Sequence, residues 1–320
     1  MFLLNTYAFP GDMMILLMLA YFVALSAGSL VWLRRNRKAR RRFIIAPIGI
    51  LGIIGFFTVL YGAFVEPQII VTTHHSVAFP ARQPLTIAVI SDLHVGPFKG
   101  KRFVERVVKK VNATKPDLVF IPGDFLYTSE AKLEDLAPLG NIHASFGIYA
   151  VIGNHDLGNI GENGGTRYKN ASDAIEKYLA DMHIITLRGT SAIVHMPGGD
   201  IAIAGMDDPL FRNYELTQTL ASVPKDMPLI LLSHSPDIIL NDQSKRAQLI
   251  VTGHTHGGQI RLPFMGPLAK IPDRLGRQYD QGIFTIDADT TLAITRGVGE
   301  SGVRARLFAW PEVMILDTHP

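Results

Sequence analysis

Five short motifs hold most of the chemistry available to this chain. They are Asp92-Leu93-His94, Gly123-Asp124, Gly153-Asn154-His155-Asp156, His234 and Gly253-His254-Thr255-His256. Asp, Asn and His offer oxygen and nitrogen donors of the hard to borderline kind that suits Mn, Fe or Zn. The chain has no cysteine, which excludes thiolate metal sites, cysteine nucleophiles and disulfides. Any one motif alone reads as a turn, because Gly, Asp and Asn favour turn backbone angles. Five in this order, each placed where an apolar run ends, imply a hydrolytic centre built on two metal ions.

The elements that must position these residues are short apolar runs of β character. Leu85–Ile90 leads into Ser91 and Asp92, Asp117–Ile121 into Gly123 and Asp124, and Phe146–Ile152 into Gly153 and Asn154. Leu229–Leu232 leads into His234, and Leu249–Val251 into Gly253 and His254. Strand ends on a rigid sheet are where α/β folds place their ligands. Helices are expected over Lys101–Asn112, Ala131–Leu139, Ser172–Met182 and Tyr214–Ala221. After Gly189 strands dominate, as in Ser191–His195, Ile201–Ala204, Ile283–Asp287 and Thr291–Thr295. The alternation predicts a layered α/β domain. Leu157–Lys169, rich in Gly and Asn beside His155, is long enough for a substrate lid.

The ordered set resembles the calcineurin-like metallophosphoesterase superfamily from Leu85 to the C-terminus, and within it the YkuE/YaeI-type bacterial members. Ser91-Asp92-Leu93-His94, Gly205-Met206-Asp207-Asp208-Pro209, Leu232-Ser233-His234-Ser235-Pro236-Asp237 and Gly253–Gln259 carry the likeness, with Thr295–Gly302 and Pro311-Glu312-Val313 behind them. The resemblance implies a four-layer sandwich, two mixed β-sheets flanked by helices. It also implies which residues bind metal: Asp92, His94, Asp124 and His256 on one ion, and Asp124, Asn154, His234 and His254 on the other. Two such ions activate a bridging hydroxide for in-line attack at phosphorus. His155 is then the residue that contacts phosphate and protonates the leaving alkoxide, a task suited to a group titrating near neutrality. Asp156 either orients that imidazole or caps a turn.

Candidates for contact with substrate are Asn154, Arg296 and Arg304, with Arg261, Arg277 and Tyr279 behind them. Arg296-Gly297-Val298-Gly299 is no P-loop, because no Gly-Lys-Ser/Thr follows it. The other six histidines, His74, His75, His143, His183, His195 and His319, are expected to be structural.

The N-terminal 65 residues form a different kind of unit. Met13–Leu33 and Phe43–Val65 are apolar and uncharged, long enough to span a bilayer. Residues 34–42 between them hold seven basic residues and no acid, which reads as a cytoplasmic loop. That topology places residues 66–320 outside the cytoplasm, on an inner-membrane anchor. Residues 66–84 read as a linker with a first extended segment, and 85–320 as the hydrolase domain. A second reading takes Arg40-Arg41-Arg42-Phe43-Ile44 as a twin-arginine signal, but no Ala-x-Ala cleavage site follows.

Of 31 basic and 28 acidic residues, residues 1–65 hold seven and one. The remainder is therefore slightly acidic, and it lacks the electrostatic footprint of a nucleic-acid binder. The expected partners are the membrane and a phosphorylated small-molecule or lipid-linked substrate, cleaved at a phosphomonoester, phosphodiester or pyrophosphate bond. UDP-2,3-diacylglucosamine hydrolysis in lipid A synthesis, a role of relatives of this group, is the alternative. A non-catalytic metal-binding scaffold is the alternative of another class.

Overall fold

The structure, a computed structural model, describes residues 9–128, 131–157, 171–209 and 215–320. In chain order, β1 (Val71–Ala78), β2 (Thr86–Val89), β3 (Leu118–Pro122), β4 (Ile148–Val151) and β5 (Ile184–Thr186) come first. They are followed by β6 (Thr190–Val194), β7 (Ile201–Met206), β8 (Leu229–Ser233) and β9 (Leu249–Thr252). A small hairpin, β10 (Arg261–Leu262) and β11 (Gly266–Pro267), precedes β12 (Gly282–Thr285), β13 (Thr291–Ile294) and β14 (Glu312–His319).

One six-stranded sheet runs β1-β14-β2-β3-β4-β5 and the other β12-β13-β9-β8-β7-β6. β2 through β5 are parallel, as are β7, β8, β9 and β13. Within these two sheets the antiparallel pairs are β14 on β2, β6 on β7 and β12 on β13. Central parallel strands are covered on both faces, so β3 and β8 are buried along their whole length and read as unbroken apolar runs.

Ile87, Val89 and Phe120 from one sheet meet Ile203, Leu232 and Val251 from the other in a core between them. The outer face of the first sheet is covered by α3 (Lys101–Ala113) and α4 (Ala171–Ala180). α3 is amphipathic: Phe103, Val104, Val107, Val108 and Val111 form its buried stripe, and its charged residues face out. The second sheet's outer face is covered more thinly, by α5 (Leu216–Thr219) and two 3₁₀ turns. The whole is the expected sandwich of two mixed sheets with helices outside.

Two expected helices differ. Ala131–Leu139 is replaced by a 3₁₀ segment, Leu133–Asn141, because Pro138 inside it lacks an N–H and its ring blocks an α-helical turn. The Tyr214–Ala221 stretch is helical only over Leu216–Thr219, and Pro224 disfavours helical geometry at the Val223 that follows. Tyr214 and residues 158–169 of the expected lid lie outside the described residues.

At the N-terminus α1 (Phe9–Arg35) and α2 (Arg42–Leu60) pack antiparallel, both long and apolar enough to cross a membrane. Their contact uses small residues: Ser26 Oγ donates to Gly49 O at 3.2 Å, and a Cβ on Gly52 would stand 2.4 Å from Ser26 Oγ. α2 runs on as one π turn, Tyr61–Val65, and one 3₁₀ turn, Glu66–Gln68. The segment expected as a linker carries β1, paired over all its eight residues with β14. Glu66 is fully buried and accepts a hydrogen bond from Ala309 N at 2.7 Å. The apolar helices are thus joined to the sheet edge through buried contacts.

Candidate active site

β2, β3, β4, β8 and β9 end on one edge of the two sheets, and their C-terminal loops bring the candidate ligands together there. Three groups have converging donor atoms: Asp92, His94 and His256; Asp124, His234 and His254; and His94, Asp124 and His155. Asp124 links them, its Oδ2 lying 3.4 Å from His94 Nε2 and 3.3 Å from His234 Nε2. His94 Nε2 is 3.2 Å from His256 Nε2, and His256 Nε2 is 3.6 Å from Asp92 Oδ1. On the other side His234 Nε2 is 3.0 Å from both Asn154 Oδ1 and His254 Nδ1.

These separations fit metal coordination. Two donors about 2.0–2.1 Å from one ion stand about 2.8–3.4 Å apart in octahedral or tetrahedral geometry. The ring hydrogens agree. His234 Nδ1 donates to Pro122 O at 2.7 Å and His254 Nε2 to Pro272 O at 2.9 Å. A carbonyl only accepts, so a proton sits on those atoms, and His234 Nε2 and His254 Nδ1 are the ring atoms left to face a metal.

The loops that hold these groups are strained and tightly nested. Asp92, His94, Asp124, His254 and His256 have φ of 54, 44, 58, 70 and 52°, in the left-handed region that non-glycine residues avoid. Such geometry costs about 1–3 kcal/mol per residue and persists where surrounding contacts over-determine it. The glycine before a ligand has a steric cause. A Cβ on Gly153 would stand 2.1 Å from Asp124 Oδ1, and one on Gly253 would stand 2.1 Å from Ser91 Oγ. The ligand loops pack backbone against side chain, with no room for a methyl group.

The site's electrostatics divide its histidines. Burial, with the neighbouring His155, pushes His94 well below its ordinary pKa. Burial, with His94 and Arg306, does the same to His256 against the pull of Asp92, leaving both neutral as ligands must be. His234 is the opposite: burial acts to lower it, but Asp124, Asp92 and Asp208 together outweigh burial and raise it well above the usual value.

His155 is half-buried beside the ligands. Its Nδ1 donates to Tyr127 O at 3.2 Å, its backbone N–H donates to Asp124 Oδ1 at 2.9 Å, and its ring stacks on Tyr127 at 5.6 Å between centroids. That leaves Nε2 as the ring atom available to substrate. Asp156 does not touch the imidazole through any contact described. Its carboxylate accepts from Phe125 N, Leu126 N and Gly153 N at 3.0, 3.0 and 3.1 Å, which holds the Asp124 loop against the Asn154 loop. Of its two expected roles the geometry matches the turn-holding one. Burial, with Asp124, raises its pKa to about 7.

A cleft of about 400 Å³ opens on this centre, lined by Asp124, Asn154, His155, His254 and His256 and walled by Ile260, Leu268, Ile271, Pro272 and Val303. Neither Arg296 nor Arg304 lines it. Arg296 Nη2 is committed to Glu312 Oε1 at 2.7 Å. Arg304 lies over the rings of Phe64 and Phe98, with Nε 3.5 Å from Asp12. Arg261 is paired with Asp280, Arg277 donates to Leu268 O, and Tyr279 packs on Phe284. Among the described residues the cationic side chain on the cleft is Lys270. Lys270, Tyr127 and Arg306 carry no motif that would single them out in the sequence.

The sequence model of the family described as calcineurin-like phosphoesterase matches residues 85–258, which hold every candidate ligand. The chain belongs to the calcineurin-like phosphoesterase family. It is a metal-dependent phosphoesterase, and its cofactors are the two divalent metal ions that this family uses. The uncharacterized metallophosphoesterase YkuE of Bacillus subtilis is 29% identical over 293 residues, 88% of this chain and 97% of its own length. A transmembrane protein with metallophosphoesterase domain from Danio rerio is 28% identical over 242 residues, 72% of this chain and 52% of its own. Together with the two apolar helices, that likeness suggests membrane association for this calcineurin-like phosphoesterase. Among solved structures, phosphopantetheinyl hydrolase (PptH) from Mycobacterium tuberculosis has 14% identity and a TM-score of 0.43, covering 73% of this chain and 96% of that one.

Proposed function

We propose that this chain is a membrane-anchored, two-metal phosphohydrolase that cleaves phosphoester bonds outside the cytoplasm. The position of Asp124 Oδ2, 3.4 Å from His94 Nε2 and 3.3 Å from His234 Nε2, is the observation that carries the reading. One ion is assigned to Asp92, His94, Asp124 and His256, and the other to Asp124, Asn154, His234 and His254. When bound, the two ions polarise the phosphoryl group and activate water for in-line displacement. A carboxylate with two oxygens suits the shared position, and Asn154 adds a ligand without adding negative charge beside an anionic substrate. His155, held by Tyr127 O at Nδ1, presents Nε2 to the departing oxygen and is placed to give it a proton as the old P–O bond breaks and water's oxygen forms the new one. Lys270 adds a positive charge to the cleft wall.

The orientation rests on the seven basic residues within 34–42, between the two apolar helices, since dense Lys/Arg loops stay on the cytoplasmic side. The test of the site uses an aryl phosphodiester. Chelation of the purified protein should abolish its hydrolysis and Mn²⁺ should restore it. Asp124→Ala should lower the rate more than His94→Ala, because it removes a ligand from both ions. Full activity after chelation, or in Asp124→Ala, overturns the two-metal assignment.

A further inference from the structure

We infer that the β10–β11 hairpin is a second membrane contact, and that the cleft beside it takes phosphoesters whose hydrocarbon chains remain in the bilayer. The inference rests on the reading of the chain as a membrane-anchored phosphohydrolase and names that site's substrate class.

The hairpin tip is apolar and bare. Phe264 is 109% exposed, Met265 71% and Leu268 51%. Outside the apolar helices and this hairpin, the exposed large apolar residues among the described residues fall into two sets. Ile185, Ile193 and Leu240 stand singly on separate elements, whereas Val65, Ile69, Phe308 and Trp310 lie where α2 meets the domain. A clustered apolar patch on a water-facing surface marks an interaction site.

The base of the hairpin joins it to the helix ends. Arg261 N donates to Leu307 O at 2.9 Å, and Leu307 N donates to Gln259 O at 3.0 Å. One residue away, Arg306 N donates to Gly62 O at 2.8 Å, past the end of α2. The same loop meets the start of α1, where a Cβ on Gly11 would stand 3.4 Å from Gly302 O and from Val303. Trp310 Nε1 donates to the phenolic Oη of Tyr61 at 3.3 Å, an aromatic pair of the kind that sits at a membrane–water boundary. Residues 302–310 therefore touch both helix ends and the hairpin stalk.

The active-site cleft is built on these same segments. Val303 forms part of its wall, and Ile260, Leu268, Ile271 and Pro272 form the side that carries the hairpin. A phosphate at His155 and Asn154 would have an apolar surface leading from it toward the helix ends, with Lys270 available to a second negative charge. That combination fits an amphiphile held in the membrane better than a freely diffusing sugar phosphate.

The absence of cysteine allows a direct test. Full-length Phe264→Cys, labelled with an environment-sensitive fluorophore and reconstituted into phospholipid vesicles, should shift to the blue and be quenched by nitroxide-bearing lipid. The same label at exposed Asp289, between β12 and β13, should not. Equal behaviour at the two positions overturns the membrane contact. In the same vesicles the p-nitrophenyl ester of dioleoyl phosphatidic acid is compared with its water-soluble dibutyryl analogue. Phe264→Ser/Met265→Ser should lower the long-chain rate relative to the short-chain rate about tenfold, the scale of one large apolar side chain leaving an apolar environment. An unchanged ratio overturns the substrate class. Failure of the phosphohydrolase reading itself looks different: neither ester is hydrolysed with metal, while the fluorophore still reports lipid contact.

Discussion

Arg306 Nη2 lies 3.4 Å from Nδ1 of His256, and the guanidinium is wholly buried. Its other bonds explain why a charge is kept there. Nε donates to Gly299 O at 3.1 Å, Nη1 to Ala309 O at 2.7 Å and Nη2 to Arg296 O at 3.0 Å. Gly299 N in turn donates to Asp92 O at 2.6 Å and Val298 N to Ser91 O at 2.9 Å. One planar cation thus fixes the loop that braces Asp92 and stands behind His256, using a fork of donors that lysine lacks.

Arg306→Lys should therefore fold but hold metal more weakly. The expected result is a lower metal content per chain after dialysis, restored only by higher free Mn²⁺, with the rate recovering alongside. Arg306→Met should destabilise by about 3–5 kcal/mol, the scale of removing one partner from a buried ionic group. Wild-type metal content and rate in Arg306→Lys would show that the guanidinium fork does not support the site.

His155→Ala should retain both metals and lose roughly 10²–10⁴-fold in kcat, the usual range for a lost general acid. The loss should shrink as the leaving group becomes more acidic, because a stable anion needs no proton. Equal losses across a leaving-group series would assign His155 to phosphate binding alone.

Metal binding should release protons. In the folded, metal-free protein His234 holds its proton to a pH above its ordinary value because Asp124 stabilises the cation despite burial. That ion pair stabilises the metal-free fold at low pH, and its contribution is lost as pH rises through the raised value. A metal must displace this proton, so affinity should climb with pH up to the same point. Calorimetry at neutral pH in buffers of different ionisation enthalpy should show net proton release, and His234→Asn should show less. Identical proton counts in the two proteins would remove His234 from the linkage.

An alkaline phosphatase fused after Pro320 should be active, and an ordinary green fluorescent protein at the same place should be dark, if the basic loop stays inside. The reverse result would place the site in the cytoplasm. It would then favour UDP-2,3-diacylglucosamine, which is made on that face, as the substrate.

Strand runs such as Leu118–Pro122 and Leu229–Ser233 were legible in the sequence because burial on both faces is written as consecutive apolar residues. The amphipathic stripe of α3 was legible for the same local reason. Ala131–Leu139 misled because its apolar spacing is helical while Pro138 forbids the α-helical bond, a conflict that spacing does not register. Arg296 and Arg304 misled because an arginine's partner is not encoded near it. Glu312 lies beyond the loop and Asp12 lies in the first apolar helix.

The sequence by itself determined the order of donor types, their placement after apolar strands, the two apolar spans and the basic loop between them. All are local patterns, readable within a few residues. Only the tertiary structure decided which ring nitrogen faces the site, since Pro122 O at the end of β3 and Pro272 O lie 112 and 18 residues from the rings they hold. It also gave His155 its support from Tyr127, gave Asp156 its backbone-holding place and put Arg306 behind His256. Each of these depends on loops from separate strands meeting at one sheet edge, a convergence set by the stacking of the two sheets and not by any neighbouring residue.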